Sequence, residues 1–198
     1  IENRIPMNTK TRFRIASMTK PITAVATLIL IEEGKLKLDD PIEKYLPLAS
    51  QISVAIPDHQ ITDNTFATEP LKRSITILDL LTFSSGAGYN DSVDHKGQSK
   101  LANLWAENDI YDGFGSLEDR VNKIMKLPFF EQPGERWRYG WSTDILARVI
   151  EVASQKPFSE FLEEKIFSPL DMDDTNFLSQ ENKAGEIAEV YSRNGAFN

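Results

Sequence analysis

"RIASMTKPITAVATLIL", residues 14 to 30, sets Ser17 and Lys20 three positions apart at the head of an apolar run, with Pro21 directly after the lysine. Residues three apart on a helix share one face, so the hydroxyl and the amine can touch. Proline lacks an NH and is tolerated best in a helix's first turn. A helix starting at Ser17 meets that condition, since Pro21 then forfeits only the bond to the Ser17 carbonyl. The run therefore predicts a helix from Ser17 to Glu33, closed by Gly34 as a C-terminal glycine. Lys20 falls in the first turn, at the positive end of the macrodipole, where a cation is disfavoured by up to about 1 kcal/mol. Apolar walls around it act in the same sense. An uncharged amine beside a hydroxyl is a general base paired with a nucleophile. The plainer reading, in which Ser17 caps the helix and Lys20 reaches into solvent, fits the spacing too.

The totals narrow the partners. A chain of 198 residues with 40% hydrophobic content can bury a real core, as one domain or two small ones. Acidic residues outnumber basic ones 30 to 22, for a net charge of −8, and that field repels phosphates, so no nucleic-acid partner is expected. With no cysteine there is no disulfide, thiolate zinc site or Cys nucleophile. The two histidines, His59 and His95, lie in polar, turn-rich sequence, and neither has a second His at i+4. They read as solvated loop residues, and neither a metal nor a cofactor is expected. The longest apolar stretch, "ITAVATLILI", is about half of what a bilayer span needs and ends in two glutamates and a glycine, so it reads as a core helix and no membrane span is expected. No signal peptide is visible, which tilts the expectation toward the cytoplasm without fixing a location.

Further along, "KLKLDDPIEKYLP" predicts a short helix between Pro41 and Pro47, and residues 48 to 74 read as a long loop able to hold a small hairpin. "SITILDLLTFSSGAG" predicts a helix capped by Thr76, with Asp79 at its third position, running to Thr82 and ending in a Ser-Ser-Gly-Ala-Gly turn. A helix around "KLANLWAEN" interrupts an aromatic, polar loop. "SLEDRVNKIMKLP" has Ser116 as N-cap, acids first and lysines last, and Val121, Ile124 and Met125 on one face. Two more helices follow, Ser142 to Ser154 and about Ser159 to Phe167, broken at Pro157. Few strands are visible, and no repeat or linker divides the chain.

Taken whole, "TRFRIASMTKPITAVATLILIEEGKLKLDDPIEKYLP" resembles the serine β-lactamase and penicillin-binding-protein superfamily, in the branch with class C β-lactamases, D-aminopeptidases and family VIII carboxylesterases. Three later segments agree in order. "ITILDLLTFSSGAG" is similar to the "LLTHTSG" turn, "PGERWRYGWSTDILARVIEVASQKPF" to the segment bearing the tyrosine motif, and "FLEEKIFSPLDMDDTNF" to the "PLGM.DT.F" stretch. The resemblance implies an α+β, β-lactamase/transpeptidase-like fold. Of it, this chain supplies mainly the nucleophile helix and the helical subdomain. Residues 1–40 become approach segment and nucleophile helix, 41–178 the helical subdomain, and 179–198 a return toward a sheet whose strands, with the third motif, lie outside these residues.

The resemblance also implies roles. Ser17 becomes the nucleophile that forms an acyl-enzyme, Lys20 takes or relays its proton, and Tyr139 helps to deprotonate Ser17 and returns a proton to the leaving group. The Ser17 backbone NH becomes one oxyanion donor. Trp141 stands where the β-lactamases carry an asparagine that binds the drug's side-chain amide, which favours an apolar acyl pocket and small ester substrates over lactams or D-peptides. Phe83, in place of the His of "HTSG", is expected beside that pocket. On residue type alone, Tyr139 between Trp137 and Trp141 reads first as aromatic packing, and only the resemblance puts catalysis ahead. A His-dependent α/β-hydrolase lacks its Gly-x-Ser-x-Gly elbow here, since neither "FSSGAG" nor "YGWSTD" supplies one. A catalytically inactive relative acting as a binding module is the rival from another class. Oligomeric state is not legible.

Overall fold

The computed structural model describes residues 6–56, 67–89, 100–108, 110, 115–177, 187–188, 190–192 and 195–196. Six helices carry the fold: α1 (Thr19–Glu32), α2 (Ile77–Leu81), α3 (Lys100–Glu107), α4 (Leu117–Met125), α5 (Ser142–Ser154) and α6 (Phe158–Leu162). Two short antiparallel hairpins accompany them, β1 (Ser53–Ala55) with β2 (Thr68–Pro70) and β3 (Tyr191–Ser192) with β4 (Gly195–Ala196). Val54 faces Glu69 in the first hairpin, which Phe129 extends by exchanging backbone bonds with Ser53 and Ala55 at 2.8 and 2.9 Å.

The centre of the molecule is α1 packed on α5, with α2 and α4 against α5 on its other sides. Thr23, Ala26, Thr27 and Leu30 fall on one face of α1 and are buried, as are Ile145, Val149 and Ile150 of α5, the helix on which α1 packs. Each buried threonine hydroxyl donates to the carbonyl four residues back, at 3.0 Å for Thr23 and 2.9 Å for Thr27, so neither leaves a polar group unpaired. The opposite face of α1 differs from the sequence expectation of a fully buried helix. Val25 and Leu28 remain about half exposed, because no described residue covers that side. Val121, Ile124 and Met125 of α4 are buried on one face as their spacing predicts.

Helix ends follow the sequence closely. Gly34 takes φ +70°, while Lys35 NH reaches the Leu30 carbonyl at 2.9 Å and Gly34 NH the Ile31 carbonyl at 3.0 Å, a Schellman closure. Thr76 and Asp79 cap each other reciprocally at the head of α2, as Ser116 and Asp119 do for α4. Two spans differ from their predicted form. The helix expected between Pro41 and Pro47 is a 3-10 turn, Ile42–Lys44, and a second such turn, Pro47–Gln51, opens the stretch read as a loop. The expected helix over 159–167 becomes α6 followed by a π-helical stretch Glu163–Phe167, which turns Ile166 and Phe167 into the core together. Ile187 pairs with Arg12 as a parallel bridge, returning the chain's end to the approach segment.

Asp79 binds more than its own helix. Arg73 grips its carboxylate through two nitrogens at 2.6 and 2.8 Å, and Thr76 donates its NH and OH at 2.9 Å each. Burial pushes this carboxyl up, but the Arg73 and Thr76 hydrogen bonds outweigh it, so it lies below its ordinary 3.8. Asp79→Ala removes cap and ion pair together and is expected to lower stability by about 2 kcal/mol in chemical denaturation at neutral pH. A group with a depressed folded-state value stabilises fully above its unfolded value and loses that contribution as pH falls through the folded one. The gap between wild type and variant is therefore expected to narrow below about pH 4, and an equal gap at pH 3 and 7 contradicts the pairing.

Candidate active site

Helix α1, which carries Lys20, begins two residues later than the sequence predicts. Ala16 adopts φ +43°, a left-handed conformation that costs a non-glycine residue roughly 1 kcal/mol, and a 3-10 turn Ala16–Met18 follows before α1 proper starts at Thr19. Pro21 is then the third residue of α1, still within its first turn. Met18 occupies the N-cap position, with no side-chain cap, so the hydroxyl of Ser17 is not spent on capping.

That hydroxyl, exposed at the tip, receives two hydrogen bonds. Lys20 Nζ donates to Ser17 Oγ at 3.3 Å, and the Tyr139 hydroxyl donates to the same atom at 2.7 Å from 122 residues away. Lys20 Nζ also lies 4.7 Å above the Tyr139 ring and 5.9 Å from the centre of Tyr89. A hydrogen bond from Lys20, then one with Ser17, holds the Tyr139 phenol below its ordinary 10, and partial burial opposes them. Three groups able to exchange protons thus share one hydrogen-bonded contact. The Ser17 backbone NH lies in the opening turn, where amides have no partner one helical turn back.

Two segments lie side by side to bring Tyr139 there. Arg138 NH bonds the Phe83 carbonyl at 2.8 Å, Gly134 NH that of Ser84 at 2.8 Å, Phe130 NH that of Gly86 at 3.0 Å, and Trp141 NH that of Ala87 at 3.1 Å. So tight a pairing needs glycine at two points. A Cβ on Gly86, whose φ is +84°, would sit 2.1 Å from the Glu131 carbonyl oxygen, and one on Gly140 would sit 2.1 Å from that of Ala87. Below the pair, the buried hydroxyls of Ser85 and Ser142 meet at 2.8 Å and tie the turn to the head of α5. The Ser-Ser-Gly-Ala-Gly turn of the sequence is thus the rail on which Tyr139 is mounted.

Phe83 stands elsewhere than the sequence expectation has it. At φ +57° its ring turns onto Tyr139, stacked at 5.5 Å, and it takes no part in the cavity wall. Tyr89 meets Tyr139 edge-on at 5.5 Å and Trp141 at 4.9 Å, while Trp137 is mostly exposed. Trp141 is buried and lines a cavity of about 450 Å³ next to the cluster, large enough for a small acyl or alcohol group. Lys20 belongs to the cluster and to the cavity wall at once, with Ala16, Tyr89, Arg120, Asp144 and Phe158 among its neighbours there.

Two residues at the site escaped sequence reasoning. Tyr89 follows the glycine turn and carried only the signal of an aromatic after Gly-Ala-Gly. Asp144 is a first-turn acid of α5 that the sequence reading did not single out; it faces the cavity, and burial pushes its carboxyl up against the opposing charges of Arg120 and Lys20. His59 and His95 lie outside the described residues. Among the described residues no group of three or more His, Asp or Glu side chains is arranged to hold a metal ion, and no helix is long and apolar enough to cross a membrane.

Comparison with known proteins gives the chain's family and fold. The beta-lactamase family profile matches residues 1–197, and the chain belongs to that family. It is 31% identical to esterase EstB of Burkholderia gladioli over 89% of this chain and 41% of that protein. It is 32% identical to the lovastatin esterase of Penicillium rubens over 82% of this chain and 39% of that protein. Among solved structures, EstCE1, described as a hydrolase with promiscuous acyltransferase activity, superposes with a TM-score of 0.77 at 24% identity, over 99% of this chain and 47% of that one, and so shares its fold. The chain spans less than half the length of these curated relatives. The fold is the α+β, β-lactamase/transpeptidase-like one, with its helical part described here.

The Tyr139 phenol is expected to ionise below 10, and Lys20→Met to move it back up, since the amine's hydrogen bond is the main cause of the shift. Carbon-13 NMR of labelled tyrosine ring carbons follows both titrations. Superimposable curves contradict the assigned contact.

Proposed function

We propose that this chain carries the acyl-transfer centre of a serine hydrolase acting on small carboxylic esters. The carrying observation is the convergence of Lys20 and Tyr139 on one Ser17 oxygen. In this reading Ser17 Oγ attacks the ester carbonyl carbon while its proton passes to the Lys20–Tyr139 pair. The bond to the alcohol oxygen then breaks, Tyr139 protonates the departing alcohol, and the acyl group stays on Ser17. Water attacks that acyl-enzyme, gives its proton to the same pair, and the serine regains its hydrogen as the acid leaves. The Ser17 NH donates to the oxyanion.

Preference for esters over lactams rests on Trp141, a buried indole where the β-lactamases place an amide and one wall of the cavity beside the cluster. The esterase names of EstB and the lovastatin esterase lean the same way. The acyl acceptor is open to a second reading: an alcohol in place of water turns hydrolysis into acyl transfer, as in the description of EstCE1. Residues 1–40 then serve as approach and nucleophile helix, and 41–178 as the helical half of the site.

In the intact protein, a short-chain p-nitrophenyl ester is expected to turn over much faster than a chromogenic cephalosporin, and the reverse order overturns the ester assignment. Ser17→Ala is expected to abolish ester turnover. Lys20→Ala is expected to lower kcat by roughly a hundredfold or more, the usual share of a positioned base, and full activity in that variant removes Lys20 from the mechanism.

A further inference from the structure

Arg120 stands in the middle of α4, and its half-buried side chain lines the cavity that Lys20 and Trp141 also wall. An arginine drawn out of water needs acceptors, because its NH donors cannot be relieved by giving up the charge. Every other half-buried arginine among the described residues holds a protein carboxylate. Arg12 holds Asp174 at 2.6 Å, Arg138 holds Glu131, and Arg148 holds Glu118 at 2.8 Å and Glu151 at 3.0 Å. Arg120 is the exception. The acids of its own helix are spent, Glu118 on Arg148 and Asp119 on the NH and OH of Ser116 at 2.8 Å each. Of the two acids in the cavity wall, Glu151 is committed to Arg148 and to the Phe158 NH at 2.9 Å. Asp144 lines the same cavity, yet among the described residues neither it nor any other carboxylate makes an ion pair with Arg120. Against that one uncommitted acid the wall sets two cations, Lys20 and Arg120, a local positive excess in a chain whose net charge is −8.

We propose that Arg120 is a specificity-determining residue for an acyl group that ends in a carboxylate, so that the preferred substrates are half-esters of dicarboxylic acids. The inference deepens the ester reading and rests on it, because it needs the acyl group to lie in this cavity while Ser17 attacks. A guanidinium matches a carboxylate with two parallel hydrogen bonds. The chain between that carboxylate and the ester carbonyl then lies along Trp141, Ala147 and Phe158, which supply the apolar part of the wall. A neutral acyl chain of the same length leaves the donors of Arg120 without an acceptor, and a pocket built to bind a polar group discriminates against the analogue that lacks it. The covalent steps are those of any ester: one water is consumed, and the alcohol and the dicarboxylic acid leave.

The test compares mono-p-nitrophenyl adipate with p-nitrophenyl hexanoate in the intact protein and in its Arg120→Met and Arg120→Gln variants. The two acyl chains have the same number of carbons and differ in the terminal carboxylate. Wild type is expected to show the higher kcat/KM on the adipate ester. The ratio of the two values is expected to fall by roughly tenfold or more in either variant, the usual worth of hydrogen bonds to a charged group. A lesion that merely loosens α4 slows both esters alike and leaves the ratio where it was. A wild type that favours hexanoate, or a ratio that survives in a folded Arg120→Met or Arg120→Gln protein, overturns the proposal, and the wild-type comparison decides by itself if neither variant folds. Turnover of both esters retained in Ser17→Ala removes the acyl-enzyme reading and this inference together, whereas an unchanged ratio with turnover lost in Ser17→Ala removes this inference alone.

Discussion

A hydroxyl that accepts two hydrogen bonds can part with its own proton only when one of the donors has lost one. Ser17 is in that position between Lys20 and Tyr139, and the chemistry follows from how the protein biases that exchange. Bringing an amine close to a phenol lowers the cost of the phenolate, and the Lys20 amine holds the Tyr139 phenol below its ordinary value in that way. In the proposed mechanism the same pair receives the serine's proton and returns it to a leaving group.

The rest of the fold can be read as support for that contact. α1 is held by its buried face against α5, so Ser17 and Lys20 ride on one rigid element. Tyr139 has no helix of its own. It is fixed by backbone bonds to the 83–87 turn, by glycines that let two chains approach where a methyl group would collide, and by the stacked ring of Phe83. The Ser85–Ser142 hydroxyl pair joins that mounting to the head of α5, so one helix braces both sides of the site. The left-handed Ala16 stores local strain directly before Ser17.

Much of this was legible in the residues. The spacing of Ser17 and Lys20 and the position of Pro21 announce a shared helix face, and Gly34, Thr76 and Ser116 mark helix ends that the backbone respects. Those signals are local, and local rules read them well. The meeting of Tyr139 with Ser17 is not local, and only the family resemblance pointed to it, since no periodicity connects residues 122 apart. The start of α1 was misplaced because a positive φ at an alanine leaves no mark in composition. The expectation for Phe83 rests on its place in the glycine turn, but its side-chain direction depends on a backbone conformation, φ +57°, that residue type does not specify. Asp144 hid behind a commoner role, as a first-turn acid whose burial depends on which helices close over it.

The central claim is that Ser17 is the atom to which an acyl group becomes attached. Incubating the intact protein with a fluorophosphonate and mapping the adduct by peptide mass spectrometry tests it directly. The proton-sharing cluster predicts a single adduct on Ser17, formed much more slowly in Lys20→Ala and in Tyr139→Phe. An adduct on another residue, or labelling of Ser17 at an unchanged rate in both variants, contradicts it.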